Sequence, residues 1–313
     1  MGLAVAIQMD PIHTINIDAD STFALALEAQ ARGHALFHYL PTALTLRDGR
    51  LFTKGRRLEV FRRYGDHHKF GDDEELDLEG VDVILMRQDP PFDMAYITAT
   101  HLLELLPPEG PLVVNDPAAV RNAPEKLFVL RFKELMPPTI LSLDRDEIKA
   151  FWDKHGEVVL KPLFGNGGAG IVHLRPGDDN LSSLLEMYQQ MYREPVMVQR
   201  YIPEIRQGDK RIVLIDGEAA GEARANLHVG GRGVKTELTP RDLEICAAIG
   251  PTLKEQGLLF VGIDVIGDYV TEINVTSPTG IQEIGRLNND NLAAKIWDAI
   301  ESRVANRAER RPA

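Results

Sequence analysis

Residues 160–170 read LKPLFGNGGAG and decide between two folds for this chain. Gly165, Gly167 and Gly170 have the G-x-G-x-x-G spacing of a dinucleotide-binding loop, which needs a strand before it and a helix directly after it. The following residues, IVHLRPGDDN, instead predict a strand and a turn, because β-branched residues precede a Pro-Gly pair. We therefore interpret the stretch as a flexible loop between two antiparallel strands, whose backbone amides can fold over a phosphate.

Two lysines lie where they could face such a phosphate. Lys161 is the last residue of an apolar strand, so its ammonium group either points at a negative group or extends out of the sheet into solvent. Lys126, in the segment NAPEKLF, follows a loop and is a second candidate cation. The alternative for Lys126 is an ordinary lysine in the first turn of a helix.

The segment VGIDVIGDYVTEINV (residues 261–275) predicts an antiparallel hairpin with acidic side chains. Glu272 and Asn274 are two residues apart on a strand and share a face, and such oxygen ligands suit Mg²⁺. The alternative is the solvated polar face of an edge hairpin. Asp264 joins that face only if the turn at Gly267 and Asp268 is lengthened to three residues or a bulge shifts the register.

The first third of the chain alternates strands and helices, which predicts a doubly wound parallel sheet of the α/β class. The polar residues 45–80 between these elements are interpreted as a surface excursion. After about residue 122, a helix is expected over EKLFVLRFKEL, and strands then mix with helices and hairpins. This second part predicts α+β domains that follow the α/β unit.

Composition excludes several classes of protein. The 313 residues carry a net charge of −12, which disfavours nucleic acid as a partner, because a sequence-independent DNA binder needs a basic surface. The single cysteine, Cys246, falls on the apolar stripe of a predicted helix and is expected to be buried and inert. No apolar run approaches membrane-spanning length, so we expect a soluble, cytoplasmic protein that does not bind membranes.

Several segments together resemble bacterial glutathione synthetases of the ATP-grasp ligase superfamily. They include VILMRQDPPFD, EKLF, VVLKPLFGNGGAGI, MVQRYIPEI, GDKRIVLIDGE, GGRG and TEINVTSPTG, and the resemblance extends from about residue 5 to residue 302. It implies an N-terminal α/β domain (1–121), followed by two ATP-grasp α+β subdomains (122–200 and 201–313) that enclose an ATP site. It also implies Mg²⁺- or Mn²⁺-dependent ligation of γ-glutamylcysteine with glycine through an acyl phosphate, by a homo-oligomer that is a tetramer in this family.

The resemblance assigns roles residue by residue. ATP would be bound by Lys126, Lys161, the loop Gly165, Asn166, Gly167, Gly168, Ala169 and Gly170, and the segment Gln199, Tyr201, Ile202 and Asp209. The metal would be held by Asp264, Glu272 and Asn274, and the donor peptide by Arg87, Asn274, Ser277 and Thr279. A large loop with Arg224, Asn226, Gly230, Gly231 and Arg232 would cover the acceptor, and Arg224, Arg232 and Lys161 would have catalytic roles.

One segment departs from the family pattern. Between IDGE, which ends at Glu218, and GEARANL, which begins at Gly221, only two alanines intervene, where the family has a strand returning from the turn. We therefore expect almost no return strand. Either the protein itself has a shortened active-site loop, or residues of the natural protein have been dropped from this sequence. We favour the second interpretation.

Two other functions are compatible with parts of the pattern. Other ATP-grasp ligases, such as D-alanine–D-alanine or glutamate ligases, share the lysines and the Glu-x-Asn pair, and MRQDPPFD with the Ser277–Thr279 segment discriminates against them. A non-catalytic ATP-binding module is favoured only by the shortened segment. The retained Asp264, Glu272 and Asn274 argue against it.

Overall fold

The residues that the structure describes form three sheets, and each sheet is built from one region of the sequence. The computed structural model describes residues 2–165, 167–224 and 233–309, with the backbone but not the side chain at residues 224, 308 and 309. Among the helices of these residues, none combines the length and the apolar character that crossing a membrane requires.

The N-terminal region forms a seven-stranded sheet in the order β3-β4-β2-β1-β6-β7, with β5 paired to β4. Its central strands are parallel, as the sequence predicts. The strands are β1 (Ala4–Gln8), β2 (Ala35–Tyr39), β3 (Leu44–Arg47), β4 (Arg50–Val60), β5 (His68–Asp77), β6 (Val83–Met86) and β7 (Leu112–Val114). The helices are α1 (Ser21–Ala31), α2 (Met94–Glu104) and α3 (Pro117–Arg121).

The interpretation of residues 45–80 as a surface excursion is wrong. They form β3, β4 and β5, an antiparallel extension of the sheet that joins it where β4 pairs with β2. Leu51, Leu58 and Val60 of β4 are buried. The outer side chains are charged and pair across the strands, as Arg47 does with Glu75 at 2.9 Å, and this high charge concealed the alternating strand pattern.

The central region is a four-stranded antiparallel sheet in the order β10-β9-β11-β8. Its strands are β8 (Thr139–Ser142), β9 (Val158–Lys161), β10 (Val172–Leu174) and β11 (Val196–Arg200), with α5 (Arg145–His155) and α6 (Leu181–Met191) as its helices. The glycine-rich stretch connects β9 to its antiparallel neighbour β10, so the prediction of a loop between two strands is confirmed. The segment before this sheet differs from the predicted helix: α4 (Glu125–Phe128) is a single turn, and residues 129–135 continue as 3₁₀ helix with a kink at Phe132.

The C-terminal region holds a second four-stranded antiparallel sheet in the order β13-β12-β14-β15. Its strands are β12 (Lys210–Ile215), β13 (Glu218–Arg224), β14 (Phe260–Ile266) and β15 (Tyr269–Asn274). The helices are α7 (Pro240–Glu255), α8 (Ile281–Asn288) and α9 (Leu292–Glu309). A box of reciprocal hydrogen bonds between Thr239 and Asp242 caps the start of α7.

The expectation that the return strand is nearly absent is also wrong. β13 pairs with β12 along its length, from Glu218 opposite Ile215 to Arg224 opposite Lys210, with one irregularity at Ala220. The residues GEAR, expected in the large loop, supply the second half of this strand. Residues 218–224 are one strand of this chain, and the interpretation that residues are missing from the segment stays a prediction.

The hydrophobic cores show how the regions fit together. Two core clusters each combine side chains of the N-terminal and C-terminal sheets, whereas the central sheet has a small core of its own. The side-chain amide of Asn115, just after β7, donates to the carbonyls of Phe260 and Val275 at 2.7 and 2.9 Å and accepts from the Phe260 N–H at 2.8 Å. The predicted boundaries at residues 121 and 200 stay a prediction. Phe128, Val129 and Met136 lie after the first boundary, yet they pack in a core that the N-terminal and C-terminal sheets share.

Candidate active site

A cleft of about 570 Å³ lies where loops and strand ends of the three regions meet. Its walls combine the loop after β6, the glycine loop, the start of β12 and the β14–β15 hairpin. The lining residues are Asp89, Pro90, Glu125, Lys161, Gly167, Gly168, Ile171, Ile205, Asp209, Arg211, Asp264, Ile266, Thr271, Glu272, Asn274, Thr276, Ser277, Pro278 and Thr279. Many of the residues singled out from the sequence are therefore brought together.

A β-bulge places Asp264 on the same face as Glu272. Ile266 pairs with Tyr269 and Val265 with Val270, so Gly267 and Asp268 form a two-residue turn. The register then shifts, and Asp264 lies opposite Glu272 instead of Thr271. The condition stated for Asp264 is thus met by a bulge at Thr271, whose hydroxyl donates to the Asp264 carbonyl at 3.2 Å.

Asp264 is held by a buried arginine that the sequence analysis missed. Arg211 Nε and Nη2 donate to the two carboxylate oxygens of Asp264 at 2.5 and 2.8 Å, and both side chains are 8% exposed. Burial alone would lower the pKa of Arg211, but the charge of Asp264 and its hydrogen bonds outweigh burial and raise that pKa. A charged residue followed at once by the apolar run IVLI was the available signal, since a buried arginine in a strand needs an anionic partner.

The two predicted phosphate lysines differ in their surroundings. Lys126 is 4% exposed; it donates to the Glu125 carboxylate and to the Gly165 carbonyl at 2.8 Å, and its Nζ lies 3.6 Å from Glu272 Oε1. Burial would lower the pKa of Lys126, but the carboxylates of Glu272 and Glu125 raise it. Glu125, whose own pKa is raised by burial, is a second cleft residue that the sequence analysis missed.

The side chain of Lys161 has no hydrogen bond or ion pair to any residue that the structure describes, although the residue is only 7% exposed and lines the cleft. Burial lowers its pKa, and the nearby charge of Lys126 adds to this while Glu272 opposes it. A buried ammonium group without a partner, directed at a cleft, is suited to an anionic ligand.

Asp209 contributes an unpaired carboxylate oxygen. Its Oδ1 is buried and has no hydrogen-bond partner in the described part of the chain. Burial, reinforced by the negative charge of Asp264, raises the pKa of Asp209 to about 6. Because an unsatisfied buried oxygen is costly, this atom is a candidate contact for a ligand hydroxyl group or a cation.

The oxygen atoms around the hairpin fit a hard cation. The side-chain amide N–H of Asn274 donates to Asp264 Oδ2 at 3.0 Å, so its amide oxygen is the atom that could contact a cation, and Glu272 and Asp209 line the same cleft. Asp264 differs, because both of its carboxylate oxygens already accept from Arg211. Within the described ranges, no group of three or more His, Cys, Asp or Glu residues is arranged to hold a metal ion. The metal ligands stay a prediction.

The predicted nucleotide contacts are only partly in the cleft. Gly167 and Gly168 line it, and both have the positive φ angles (59° and 78°) that favour glycine. Gln199 is directed elsewhere, to the Thr139 hydroxyl at 3.1 Å, and the Tyr201 ring stacks on His173 with centroids 4.0 Å apart. Neither of these two side chains lines the cleft, and Ile202 does not line it either.

Arg87, which is predicted to contact the donor peptide, supports one wall of the cleft. This side chain is 5% exposed; its Nε donates to the Thr22 hydroxyl at 3.0 Å and its Nη2 to the Pro278 carbonyl at 2.8 Å. Arg87 thus fixes the segment that carries Ser277 and Thr279, which line the cleft, without lining it itself. Asn166, Asn226, Gly230, Gly231, Arg232 and the side chain of Arg224 lie outside the described residues, so their predicted roles stay predictions.

The overall fold is similar to that of several solved structures. D-cycloserine synthetase DcsG is similar with a TM-score of 0.69 at 11% identity, over 96% of this chain and 100% of that chain. The ATP-grasp ligase PsnB, in complex with precursor peptide PsnA2 and AMPPNP, is similar with a TM-score of 0.65 at 17% identity, over 97% and 99% of the two chains. These likenesses show that this chain shares its fold with an ATP-grasp ligase.

Two protein-family models match this chain and identify its family within the ATP-grasp ligases. The prokaryotic glutathione synthetase N-terminal domain matches residues 3–121, and the ATP-grasp domain of the same enzyme matches residues 125–289. Glutathione synthetase from Brucella melitensis is 57% identical over 312 residues, covering 97% of this chain and 100% of that protein, and the Escherichia coli enzyme is 45% identical over 313 residues, covering 96% and 99%. The chain belongs to the prokaryotic glutathione synthetase family. The resemblance, the fold class and the assignment as an ATP-dependent ligase of this type are therefore confirmed.

Proposed function

We propose that the described cleft joins γ-glutamylcysteine to glycine with ATP and Mg²⁺, giving glutathione, ADP and phosphate. The observation that carries this proposal is the convergence of Lys161, Lys126, Glu272, Asn274 and Asp209 beneath the glycine loop, in a chain of the glutathione synthetase family. One cation for the phosphates, oxygens for a metal and glycines of the loop line one cleft, and Lys126 lies next to it, in contact with Gly165 and Glu272.

The chemistry follows from the poor reactivity of a carboxylate. The cysteinyl carboxylate of γ-glutamylcysteine attacks the γ-phosphorus of ATP, so an O–P bond forms and the bond to ADP breaks. The neutral amine of glycine then attacks the carbonyl carbon of the acyl phosphate. A C–N bond forms, phosphate leaves with the carboxylate oxygen, and the amine loses a proton. Positioning and charge neutralisation are the tasks of the protein.

The lysines and the glycine loop act on the phosphates. Lys161 offers a charge without a protein partner, and Lys126 offers one that must be shared with Glu125 and Glu272. Glu272, Asn274 and Asp209 would hold Mg²⁺, or Mn²⁺ in its place, and a bound ion would neutralise charge on the transferred phosphoryl group. Backbone amides of residues 165–170 would cover the phosphates and keep water from the acyl phosphate.

Donor recognition is assigned to the wall that Arg87 supports. Asn274, Ser277 and Thr279 line the cleft and offer amide and hydroxyl groups to the peptide. Arg87 would contribute chiefly by holding the Pro278 carbonyl in place. Arg224, Asn226 and Arg232 are proposed, from the family resemblance, to act at the acceptor. A tetrameric assembly and a cytoplasmic location without nucleic-acid or membrane partners are part of the same proposal.

The proposal is tested by phosphate release from ATP and Mg²⁺, with each of the two substrates omitted in turn. We expect sustained release only when γ-glutamylcysteine and glycine are both present, with glutathione formed in equal amount. Release that ignores both substrates would contradict the ligase reaction, and nucleotide binding without any release would favour a non-catalytic module. Release that requires D-alanine or glutamate in their place would identify another ATP-grasp ligase.

A further inference from the structure

Two phenylalanine rings from different regions stack beside the cleft. Phe92 lies in the loop between β6 and α2, and Phe164 follows β9 immediately before Gly165. Their ring centroids are 6.3 Å apart with an interplanar angle of 19°. This is the offset-stacked arrangement that aromatic pairs favour. The contact therefore joins the N-terminal region to the glycine loop.

The Phe92 side of this stack is fixed. Its ring packs against Tyr96, with centroids 5.2 Å apart, and Tyr96 is 3% exposed in the first turn of α2. Asp93 caps that turn by accepting from the Tyr96 N–H at 3.0 Å. Phe92 thus forms a rigid surface on which the loop can rest.

Phe164, in contrast, has an exposed ring at the start of the glycine loop. The ring is 40% exposed, and the residues after it are the glycines of the phosphate loop. The Gly165 carbonyl next to it accepts from Lys126. The entry to the loop is therefore held at two adjacent points, by a ring contact to the N-terminal region and by a hydrogen bond to a phosphate-directed lysine.

The two loops that meet in this stack both contribute residues that line the cleft. The loop of Phe92 contributes Asp89 and Pro90, next to Arg87 of the donor wall. The loop of Phe164 contributes Gly167 and Gly168 on the nucleotide side. The stack is thus a direct contact between the segment assigned to the donor peptide and the segment assigned to ATP.

We propose that Phe92 is a positioning residue which, through Phe164, docks the glycine loop against the donor wall, so that nucleotide and donor peptide each strengthen binding of the other. This inference rests on the proposed function, because it takes the two ligands from it. A ligand that orders one loop also orders the stacked ring of the other, so the second ligand loses less conformational freedom on binding. Neither ring needs to touch a reacting atom.

The test measures the coupling directly by isothermal titration calorimetry. The dissociation constant of a non-hydrolysable ATP analogue with Mg²⁺ is determined with and without saturating γ-glutamylcysteine, and the ratio of the two constants is the coupling factor. We expect Phe92→Leu and Phe164→Leu each to lower this factor by about two- to tenfold, the range that an aromatic pair supports. The double variant should lose no more than either single variant, because both changes break one contact.

Two further variants separate positioning from general stability. Phe164→Tyr keeps a stacking ring and should retain the coupling factor of the unchanged protein. Phe52→Leu removes a half-buried ring of β4 that packs with Arg47 and Arg50, and should leave the coupling unchanged. Reciprocity provides an internal check, since the nucleotide must change the affinity for the donor by the same factor.

The outcomes are distinguishable. If the unchanged protein binds both ligands and releases phosphate, but its coupling factor is the same in the leucine variants, the positioning role of Phe92 is wrong and the proposed function stands. Additive losses in the double variant would also overturn the role. If the unchanged protein does not bind γ-glutamylcysteine, the proposed function itself fails.

Discussion

Asp264 and Glu272 lie directly opposite each other on neighbouring strands because Thr271 forms a β-bulge. Without the bulge, the two-residue turn at Gly267 and Asp268 would pair Asp264 with Thr271, and Glu272 would face the other side of the sheet. The bulge instead places both carboxylates on the same face, where Arg211 donates to both oxygens of Asp264. The two carboxylates therefore differ in their surroundings: both line the cleft, but Asp264 is paired with a buried arginine and Glu272 is not.

This difference predicts that one substitution mainly lowers turnover and a similar one mainly lowers stability. Glu272→Gln should lower turnover by about 100- to 1,000-fold, because a proposed Mg²⁺ ligand loses its charge, while the free energy of unfolding changes by less than about 1 kcal/mol. Asp264→Asn should lower the free energy of unfolding by about 3–5 kcal/mol, because Arg211 stays buried without its counter-charge. Urea denaturation and steady-state kinetics measure both.

The control for these substitutions is an exposed ion pair. Arg63 and Asp66 interact at 2.9 Å with side chains 67% and 66% exposed. Asp66→Asn should therefore change stability by less than about 0.5 kcal/mol. Near-normal turnover in Glu272→Gln would remove this residue from the metal and phosphate site. A stable Asp264→Asn variant would show that Arg211 does not depend on Asp264.

Replacing Asp209 by asparagine should stabilise the protein in a pH-dependent way. Its folded-state pKa of about 6 is above the ordinary value of 3.8, so the folded state favours the protonated carboxyl group. The cost of the buried charge is absent below about pH 4, grows as the pH rises, and is complete above about pH 6. Asp209→Asn should thus be more stable than the unchanged protein by about 1–2 kcal/mol at pH 7.5 and equal to it near pH 4.

The comparison is made by thermal and urea unfolding of both proteins across this pH range. The same substitution should weaken turnover, because the carboxylate is assigned to ligand binding. A stability difference that is constant with pH, or that has the opposite sign, would show that the Asp209 charge is not costly in the folded protein.

Cys246 should be unreactive until the protein unfolds. It is 5% exposed in α7, and burial, with the negative charge of Asp242 adding to it, raises its pKa to about 11. At pH 8 its thiolate fraction is then about 100-fold or more below that of a free cysteine. Titration with Ellman's reagent should give no fast reaction in buffer and one thiol per chain in denaturant. A rapid reaction in buffer would contradict the buried position.

Asn115 should be a stability hot spot between the N-terminal and C-terminal sheets. Its side chain satisfies one N–H and two carbonyl groups of the C-terminal region. Asn115→Ala leaves these buried groups unpaired and should lower the free energy of unfolding by about 2–4 kcal/mol. Asn180→Ala is the control, since that amide contacts only Asp178 at an exposed position. Equal effects of the two substitutions would contradict this role of Asn115.

The sequence was informative where local pattern and chemistry agree. The strand after the glycine loop, the apolar strands of the parallel sheet and the shared face of Glu272 and Asn274 follow from side-chain alternation over a few residues. The bulge at Thr271 could be stated only as a condition, because a single extra residue in a strand leaves no clear pattern. The structure supplied the register.

The errors have a common physical origin in long-range pairing. The charged strands of residues 45–80 are stabilised by cross-strand partners such as Arg56 and Asp73, which pattern analysis of one segment does not see. The same holds for β13, whose length comes from residues expected in a loop. Arg211 and Glu125 were missed because the structure, and not the local sequence, gives them their partners. Arg211 pairs with Asp264, which is 53 residues away along the chain. Glu125 pairs with Lys126, which also donates to the Gly165 carbonyl of the glycine loop.

The central claim is that this cleft activates the cysteinyl carboxylate of γ-glutamylcysteine as an acyl phosphate. It is tested most directly with a donor peptide that carries ¹⁸O in that carboxylate, incubated with ATP, Mg²⁺ and glycine, followed by mass analysis of the released phosphate. We predict that one ¹⁸O atom appears in each phosphate formed with glutathione, and that Glu272→Gln forms almost none. Glutathione formed while the phosphate carries no ¹⁸O would contradict the account.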